Sequence, residues 1–351
     1  FWISTKKNPA DEPISWRGVR QAAGPRQGSG GQGDAWQKTP QPLPRVEVIP
    51  LAPAGWGLRE TFFLHFCSGP RREGDLCEMV EQEAREAGLV VKALACDPVI
   101  DPSHDLTSAS FVNELRELCS SGDVMGSFAG PPCSTISRAR HHLLAGRRGP
   151  RPLRSRCEPL LPLPGLSDAE RQACALGTHI FLLCLELFTR VILCGGWAGQ
   201  EHPQDPGRHP FPSFWSSREV VDWIAEFGLY IVSFDQCRHG SISQKPTSIV
   251  TNDTEAQAVL GHRCNHRHGH KGVYGLAQGG GFVTTQLARY PPQLCSALAR
   301  LAIRSLMQSQ KQPRHARGSW QAPWAHHYLL DERAAARDDR QVRRRPPRLQ
   351  Q

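Results

Sequence analysis

The sequence predicts an α/β fold built on a mainly parallel sheet. Short apolar runs of strand length alternate with stretches of helical periodicity across residues 61–305. Capping residues or glycines mark several helix ends. The runs that we interpret as strands end in polar turns rich in glycine or proline, which is where an open α/β sheet carries its functional groups.

The first predicted unit is a strand, a loop, a helix and a second strand. Residues 61–67 are the first apolar run, Ser68-Gly69-Pro70 form the loop, and a helical pattern follows Asp75. The second run, 89–96, ends in Asp97. A glycine loop lets the backbone approach a ligand, and an acid after the second strand accepts ribose hydroxyls. Because the loop lacks the Gly-x-Gly-x-x-Gly pattern, a turn-capping role for Asp97 is an equal alternative.

The segment 123–137 presents a cysteine at the end of a predicted strand. The apolar run stops at Gly130-Pro131-Pro132, where regular structure cannot continue, so Cys133 would lie on a rigid turn. Two prolines before the sulfur lower the entropic cost of holding a nucleophile in place. A buried, unreactive cysteine is the alternative, because free cysteine often packs as a small hydrophobe.

Seven arginines follow Cys133 in a loop rich in glycine and proline, with no acidic residue before Glu158. They are Arg138, Arg140, Arg147, Arg148, Arg151, Arg154 and Arg156. Their position beside the candidate nucleophile favours a phosphate-contacting loop, for which we select the first four as nucleic-acid-binding residues. A solvated charged surface is the alternative.

The later elements continue the alternation. They are a helix opened by a Ser167/Glu170 capping box, a strand at Val191–Cys194, a helix opened by Ser216/Glu219, strands at 229–234 and 247–251, and a helix after Tyr290-Pro291-Pro292. The apolar stretch 173–194 contains His179, Glu186 and Arg190. We therefore interpret that stretch as a buried helix running into a strand, not as a membrane span.

Residues 262–270 are rich in potential metal ligands, namely His262, Cys264, His266, His268 and His270. Their spacing matches no standard zinc pattern, and only one cysteine is among them. We therefore interpret the segment as a polar loop, and the sequence predicts no metal site.

Positive charge is concentrated at the two ends of the chain. Residues 1–45 carry seven Lys or Arg against three acids, and residues 309–351 carry ten against four, in a chain of formal net charge +9. We predict two basic disordered tails around a folded body at 46–308, with a short docking element near Trp320, Trp324 and 328–330. The 12 scattered cysteines, without a C-x-x-C, predict a reducing intracellular location, with the nucleus as one candidate compartment.

These motifs resemble those of the DNA (cytosine-5) methyltransferase family, most closely the compact forms of viruses and mobile elements, over about residues 60–305. Gly130-Pro131-Pro132-Cys133 matches the Pro-Cys nucleophile motif, and Glu201-His202-Pro203 stands where the family has Glu-Asn-Val. The segment 240–252 is similar to the basic motif, with Lys245 at an arginine position. Tyr290-Pro291-Pro292 resembles the last motif, whose helix packs against the cofactor loop.

The resemblance implies a Rossmann-like class I methyltransferase that uses S-adenosylmethionine and has helices on both faces of its sheet. It implies that Cys133 adds to cytosine C6, that Glu201 binds the N3 side of the base, and that Lys245 or Arg238 holds a base oxygen or a phosphate. The implied cofactor positions are Phe66, Cys67, Ser68, Gly69, Asp97, Asp105 and Pro131. The implied partner is nucleic acid, DNA in the first place; no membrane and no obligate protein partner is expected.

The chain also departs from the family. His65, Cys67 and Pro70-Arg71-Arg72 change the first motif, Ser134 follows the nucleophile, and His202 and Thr247 replace an asparagine and an arginine. Only residues 253–285 remain for target recognition, which predicts weak sequence specificity, a single-stranded substrate or a degenerate enzyme.

Two other functions stay open. One is a catalytically degenerate module, derived from a mobile element, that only binds nucleic acid. The other is a cysteine hydrolase that pairs Cys133 with His141 or His202. A cytidine deaminase is disfavoured, because the chain has neither Pro-Cys-x-x-Cys nor His-x-Glu.

Overall fold

The computed structural model describes residues 61–141, 151–267, 269–270, 288–309, 322–324 and 328. Within these residues one six-stranded sheet carries helices on both faces, which confirms the predicted α/β class. The predicted N-terminal tail, the start of the folded body at residue 46 and most of the C-terminal tail lie outside the described residues.

The sheet is mixed. Its strands are β1 (Thr61–Phe66), β2 (Val91–Cys96), β3 (Val124–Ala129), β4 (Trp197–Pro203), β5 (Tyr230–Asp235) and β6 (Pro246–Thr251). They lie in the order β2-β1-β3-β4-β6-β5. The β2-β1-β3-β4 part is parallel, and β6 is antiparallel to both β4 and β5. Strands β5 and β6 are joined by the loop 236–245, which contains a 3₁₀ turn but no crossover helix, and the chain reverses through this loop.

Helices cover the two faces in two groups. They are α1 (Leu76–Glu86), α2 (Ala109–Ser120), α3 (Asp168–Leu193), α4 (Arg218–Phe227), α5 (Ala256–Leu260) and α6 (Pro292–Ser309). One apolar cluster contains side chains of α2, α3 and α4, and a second contains side chains of α1, α5 and α6. Burial on both sides explains why every residue of β3 is buried and why its sequence is apolar without alternation.

Several predicted helix boundaries agree with the structure. The Asp75 side chain caps α1 by accepting a hydrogen bond from the Glu78 amide, and Ser167 and Glu170 form both bonds of a capping box. Gly228 ends α4 in the left-handed region at φ 61°. The cap of α4 is Ser217 and not the predicted Ser216.

The predicted strand Val191–Cys194 is wrong. Helix α3 continues to Leu193, and the next strand begins at Trp197. A short apolar run has the same pattern in a strand and at the end of a buried helix. Here the run continues a helix of 26 residues that is packed in the core. Helix α3 is long and apolar enough to cross a membrane, but 78% of its most apolar window is buried in the fold. We interpret it as the core helix.

A C-terminal element docks on α4, as the aromatic residues near 320–330 predict. Trp324 is buried, and its ring meets that of Trp223 edge-on at 6.4 Å. The Tyr328 hydroxyl donates a hydrogen bond of 2.9 Å to Glu219. Trp320, Leu329 and Leu330 lie outside the described residues.

Arg154, one of the seven arginines after Cys133, is fully buried in the core. Its guanidinium donates hydrogen bonds to Thr135, Pro159, Leu160, Cys174 and Thr178, all of which lie 5 to 24 residues away in the sequence. Burial lowers the pKa of Arg154 to about 10, which still leaves it charged at neutral pH. Arg154 therefore joins the segment after Cys133 to α3.

Replacement of Arg154 by methionine is expected to lower the free energy of unfolding by about 3–5 kcal/mol, because several buried oxygens lose their donor together. Urea denaturation followed by circular dichroism measures this change. Arg171→Met removes an exposed arginine near the start of α3 and is the control, with an expected change within about 0.5 kcal/mol. Equal stability of the two variants would contradict this role.

Candidate functional site

The parallel strands end in register, and the candidate residues follow directly. Paired residues across β2, β1, β3 and β4 form one row, made of Cys96, Phe66, Ala129 and Gln200. The next residues along these strands are Asp97, Cys67, Gly130 and Glu201. Residues that the sequence separates by up to 134 positions therefore meet at the carboxyl edge of the sheet, where α/β folds bind ligands.

Glu201 is buried and lies between a tyrosine and a lysine. The Tyr290 hydroxyl donates a hydrogen bond of 3.2 Å to Glu201 Oε2. Lys245 Nζ is 3.8 Å from Glu201 Oε1, and this oxygen has no hydrogen-bond partner among the described residues. Burial, followed by the Glu201 carboxylate, raises the pKa of Tyr290, so the hydroxyl keeps its proton and remains a donor. Glu201 Oε1 is thus a buried acceptor whose hydrogen-bonding capacity is not used by the described residues.

Cys133 lies beside the same tyrosine. A Cβ atom at Gly130 would collide with the Tyr290 hydroxyl, so glycine at this position admits the ring against the turn that carries the thiol. Cys133 is partly exposed, and burial, Glu201, Cys295 and Cys133, in that order, raise the pKa of Tyr290. The Tyr290 side chain therefore lies against the Glu201 carboxylate, against the Lys245 ammonium group, which is 5.5 Å from its ring centroid, and against Gly130 in the turn that carries Cys133. The sequence analysis noted Tyr290 as part of a motif but missed this role of its side chain.

Lys245 has an unusual backbone conformation, with φ 35°. This region is uncommon for a residue with a side chain and is found at functional sites more often than elsewhere. The Lys245 carbonyl accepts hydrogen bonds from the Gln236 amide and from the Thr247 hydroxyl, which hold the conformation. The turn before β6 thereby directs the ammonium group towards Glu201.

Arg238 occupies a different place. It belongs to a 3₁₀ turn, Gln236–His239, and its exposed guanidinium donates to Asn265. We therefore keep Lys245 and drop Arg238 as the cation of the candidate site. The same turn carries Cys237, whose ligand atom lies within 4.8 Å of those of Cys264, His266 and His270 in the His/Cys-rich segment.

The predicted cofactor loop is built around Asp97, which is fully buried. Its two carboxylate oxygens accept hydrogen bonds of 2.9 Å from the amides of Gly69 and Val99. Asp97 thus joins the loops after β1 and β2, and in this conformation it is not available to ribose hydroxyls. The capping alternative for Asp97 agrees with the structure.

The other predicted cofactor positions divide between core and loop. Phe66 and Pro131 are buried. A hydrogen bond with Cys184, together with burial, raises the pKa of Cys67, whose φ is 53°. The Ser68 hydroxyl donates to the Gly69 carbonyl, and Asp105 accepts from the amide and hydroxyl of Thr107. Cys67 and Ser68 therefore shape the turn after β1. Asp105 shapes the turn that precedes α2.

A cavity of about 330 Å³ lies beside the ends of β1 and β2. Its lining is mostly apolar and includes Leu64, Cys96, Ile100, His104 and Phe111. The rings of His104 and Phe111 stack at 5.1 Å. An adjoining cavity of about 320 Å³ shares Phe111 and adds Asp105, the one predicted cofactor residue that lines either cavity. Apolar and aromatic walls with a few polar groups suit a planar organic ligand.

The five arginines after Cys133 that the structure describes all form hydrogen bonds or ion pairs with other parts of the chain. Arg140 is buried and donates to the carbonyls of Ser134 and Arg151, so the prediction that Arg140 contacts nucleic acid is wrong. Arg138 is partly exposed and donates to the Gln204 carbonyl. Other members of the run form ion pairs, Arg151 with Glu170 and Arg156 with Asp205. Arg147 and Arg148 lie outside the described residues.

His202 is an aromatic core residue. It is fully buried, its ring stacks on Phe214 at 5.0 Å, and Phe181 and Trp215 meet it edge-on. Neither ring nitrogen has a hydrogen-bond partner among the described residues, and burial lowers the pKa of His202 to about 3. A histidine that is enclosed in the core and has so low a pKa is a poor proton acceptor, so it does not suit the general base of a cysteine hydrolase.

We expect His202 to destabilise the fold as the pH falls below about 6.5. Its folded pKa is lowered, so the unfolded chain binds the extra proton, and stability present above 6.5 is lost by about 1.4 kcal/mol per pH unit. At pH 5 the loss is about 2 kcal/mol. In His202→Leu this part of the pH dependence should vanish, as measured by urea denaturation between pH 5 and 8. A parallel curve for parent and variant would contradict the assignment.

Comparisons with known proteins identify no relative. No family model matches the chain, and no curated protein matches it either. The function of this site is therefore inferred from its geometry and from the chemistry of its residues.

Proposed function

We propose that this protein transfers a methyl group from S-adenosylmethionine to C5 of cytosine in nucleic acid. The observation that carries the proposal lies at the carboxyl edge of the sheet, where the Tyr290 hydroxyl donates to Glu201, Lys245 lies 3.8 Å from the same carboxylate, and the tyrosine packs against Gly130 in the turn that leads to Cys133. A nucleophile, a carboxyl group and a cation in one partly buried place are the groups that activation of a pyrimidine requires.

Cys133 would act as the nucleophile. C5 of cytosine is too electron-poor to attack an electrophilic methyl group, so the Cys133 thiolate first forms a bond to C6. The electron pair of the C5–C6 double bond is thereby made available at C5. After C5 has been methylated and has lost its proton to a base, the C6–S bond breaks and the thiolate is restored. The partial exposure of Cys133 supports access of a base to the sulfur.

Glu201 would bind the N3 side of the base during the addition. Its Oε1 atom is free of hydrogen bonds within the described part of the chain, whereas Oε2 is held by Tyr290. In its protonated form, Glu201 would donate the proton on Oε1 towards N3 and offset the charge that develops in the ring, and the proton would return to Oε1 when the adduct breaks down. Lys245, 3.8 Å from Glu201, is placed to bind the base oxygen.

S-adenosylmethionine would supply the methyl group as an electrophile when bound. The cavity beside β1 and β2 fits its adenine ring, because Ile100, His104 and Phe111 offer apolar and aromatic contact. Asp105 in the adjoining cavity is the acid that we assign to the ribose in place of Asp97. The parallel crossovers β1-α1-β2 and β3-α3-β4 are compatible with the Rossmann-like class I architecture that the proposal requires.

The experiment is a methyl-transfer assay with radiolabelled S-adenosylmethionine. Single-stranded DNA, duplex DNA and RNA that contain cytosine are offered in parallel, and matched substrates with 5-methylcytosine serve as blanks. We expect label in the unmodified substrates only, with preference for single strands, which do not require extrusion of the base from a duplex. Absence of label from all three, in protein that also fails to bind S-adenosylmethionine at millimolar concentration in calorimetry, would refute the proposal.

A further inference from the structure

A second cluster of reactive side chains combines the turn that follows β5 with the segment that follows α5, and it shares no residue with the candidate methyl-transfer site. It consists of Cys237, Cys264, His266 and His270, one potential ligand atom of each lying within 4.8 Å of the others. The Cys264 sulfur is 3.5 Å from His266 Nδ1 and 3.0 Å from His270 Nε2. Cys237 is buried.

These distances suit one metal ion. Zinc is bound at about 2.3 Å by sulfur and about 2.0 Å by nitrogen, so a tetrahedral site places S and N ligand atoms about 3.5 Å apart. Two thiolates and two imidazoles are a complete ligand set for a closed structural zinc site. The separation of His266 and His270 by three residues also lies within the usual His-x₃₋₅-His spacing.

The backbone around the cluster is already fixed by hydrogen bonds. Cys264 N donates to Asp235 Oδ2 at 2.8 Å, and Asp235 N donates to the His262 carbonyl at 3.0 Å. Arg238 donates to Asn265, and the His239 ring contacts the Leu260 carbonyl at 3.2 Å. The two ligand-bearing segments are thus held against each other by bonds that do not involve the ligand atoms, which lowers the entropic cost of closing a site.

We propose that Cys237, Cys264, His266 and His270 bind a structural zinc ion that fixes the segment after α5 to the end of β5. Binding would replace the two thiol protons by bonds from thiolate sulfur to the metal, and no change in oxidation state is needed. The sequence analysis rejected a metal here because residues 262–270 hold one cysteine. The fold supplies the second, Cys237, from 27 residues earlier.

The proposed zinc site lies next to a residue that contacts the loop after β4. Arg263, next to Cys264, donates a hydrogen bond of 2.8 Å to Gln204 Oε1, and Gln204 follows directly on β4. The zinc-bound segment would therefore buttress the loop that leaves β4 just after Glu201. The inference itself does not depend on the proposed methyl transfer, since it needs only the four ligands.

The first test measures metal in the full chain, purified under reducing conditions without a polyhistidine tag. We expect about one zinc per chain by mass spectrometry and, after replacement by Co²⁺, visible d–d absorption of a tetrahedral site with about two sulfur ligands. Cys264→Ser should lower bound zinc at least tenfold. The control Cys157→Ser alters an exposed cysteine outside the cluster and should leave one zinc per chain.

A second variant separates ligand loss from misfolding. His270→Cys keeps four ligands, so it should retain one metal ion while the sulfur-to-cobalt charge-transfer band grows by about half, from two thiolates to three. Zinc content below about 0.1 per chain in folded, reduced parent protein would overturn the proposal, as would a Cys237–Cys264 disulfide found in place of metal. An unchanged cobalt spectrum in His270→Cys would also contradict it.

Discussion

Cys133→Ala is expected to abolish methyl transfer, with a loss of about 10⁴-fold or more. Removal of a covalent nucleophile leaves no route to the C6 adduct, and the remaining groups cannot replace it. The same variant should form no covalent complex with single-stranded DNA that contains 5-fluorocytosine. The parent protein should form one, because fluorine at C5 cannot leave as a proton and so prevents release of the thiol.

The complex is detected as a band of reduced mobility that survives denaturation. Cys157→Ala is the matched control. It removes an exposed cysteine from the segment that follows the Cys133 turn, and it should keep both methyl transfer and covalent trapping. A trapped complex in Cys133→Ala would show that another cysteine is the nucleophile. Retained binding of nucleic acid by Cys133→Ala, together with no transfer by the parent, would favour the degenerate binding module.

Glu201→Gln is expected to lower the rate constant of methyl transfer by about 10²–10³. The amide is nearly isosteric and can still accept the hydrogen bond from Tyr290, but it cannot hand a proton to N3. The rate of trapping by 5-fluorocytosine should fall by a similar factor, because the lost interaction acts in the addition step. Single-turnover kinetics with excess enzyme measure both rates.

Two further variants test whether the lower rate constant of Glu201→Gln is specific to the candidate site. Tyr290→Phe removes the donor to Glu201 Oε2 and should cost about tenfold, because the carboxylate keeps its place beside Lys245 but loses its orientation. Glu255→Gln changes an exposed carboxylate before α5 and should have no effect. If Glu201→Gln lowered substrate affinity alone and left the rate constant unchanged, Glu201 would be a binding residue and the proposed proton transfer would be wrong.

The comparison of sequence and structure is clearest at the ends of the elements. Alternating apolar runs and capping residues predicted the strands β1, β2, β3, β5 and β6 and most helices, because these signals depend on neighbours a few residues apart. The prediction of a strand at Val191–Cys194 was wrong because it depended on residues that are distant in the sequence. Whether an apolar run continues a helix or begins a strand depends on the surface against which it packs, and that surface belongs to other parts of the chain.

The same limit applies to charged residues. The arginines after Cys133 predict an exposed basic loop, but Arg154 is in the core and Arg140 binds backbone carbonyls. A guanidinium can satisfy its donors with carbonyl oxygens as well as with phosphates, so the sequence gives no means of telling the two apart. Only the fold shows which carbonyls lie within reach.

By itself, the sequence determined the α/β class and placed Cys133 after two prolines at the end of an apolar run, since both depend on adjacent residues; a role for Glu201 is implied only by the resemblance of Glu201-His202-Pro203 to a family motif. The tertiary structure alone decided that the Tyr290 hydroxyl donates to Glu201 and lies against Gly130, and that Cys237 lies beside a histidine-rich segment 27 residues away. The parallel register of β1 to β4 and the chain reversal between β5 and β6 bring these residues together. Such contacts depend on the path of the chain in space, which local composition does not determine.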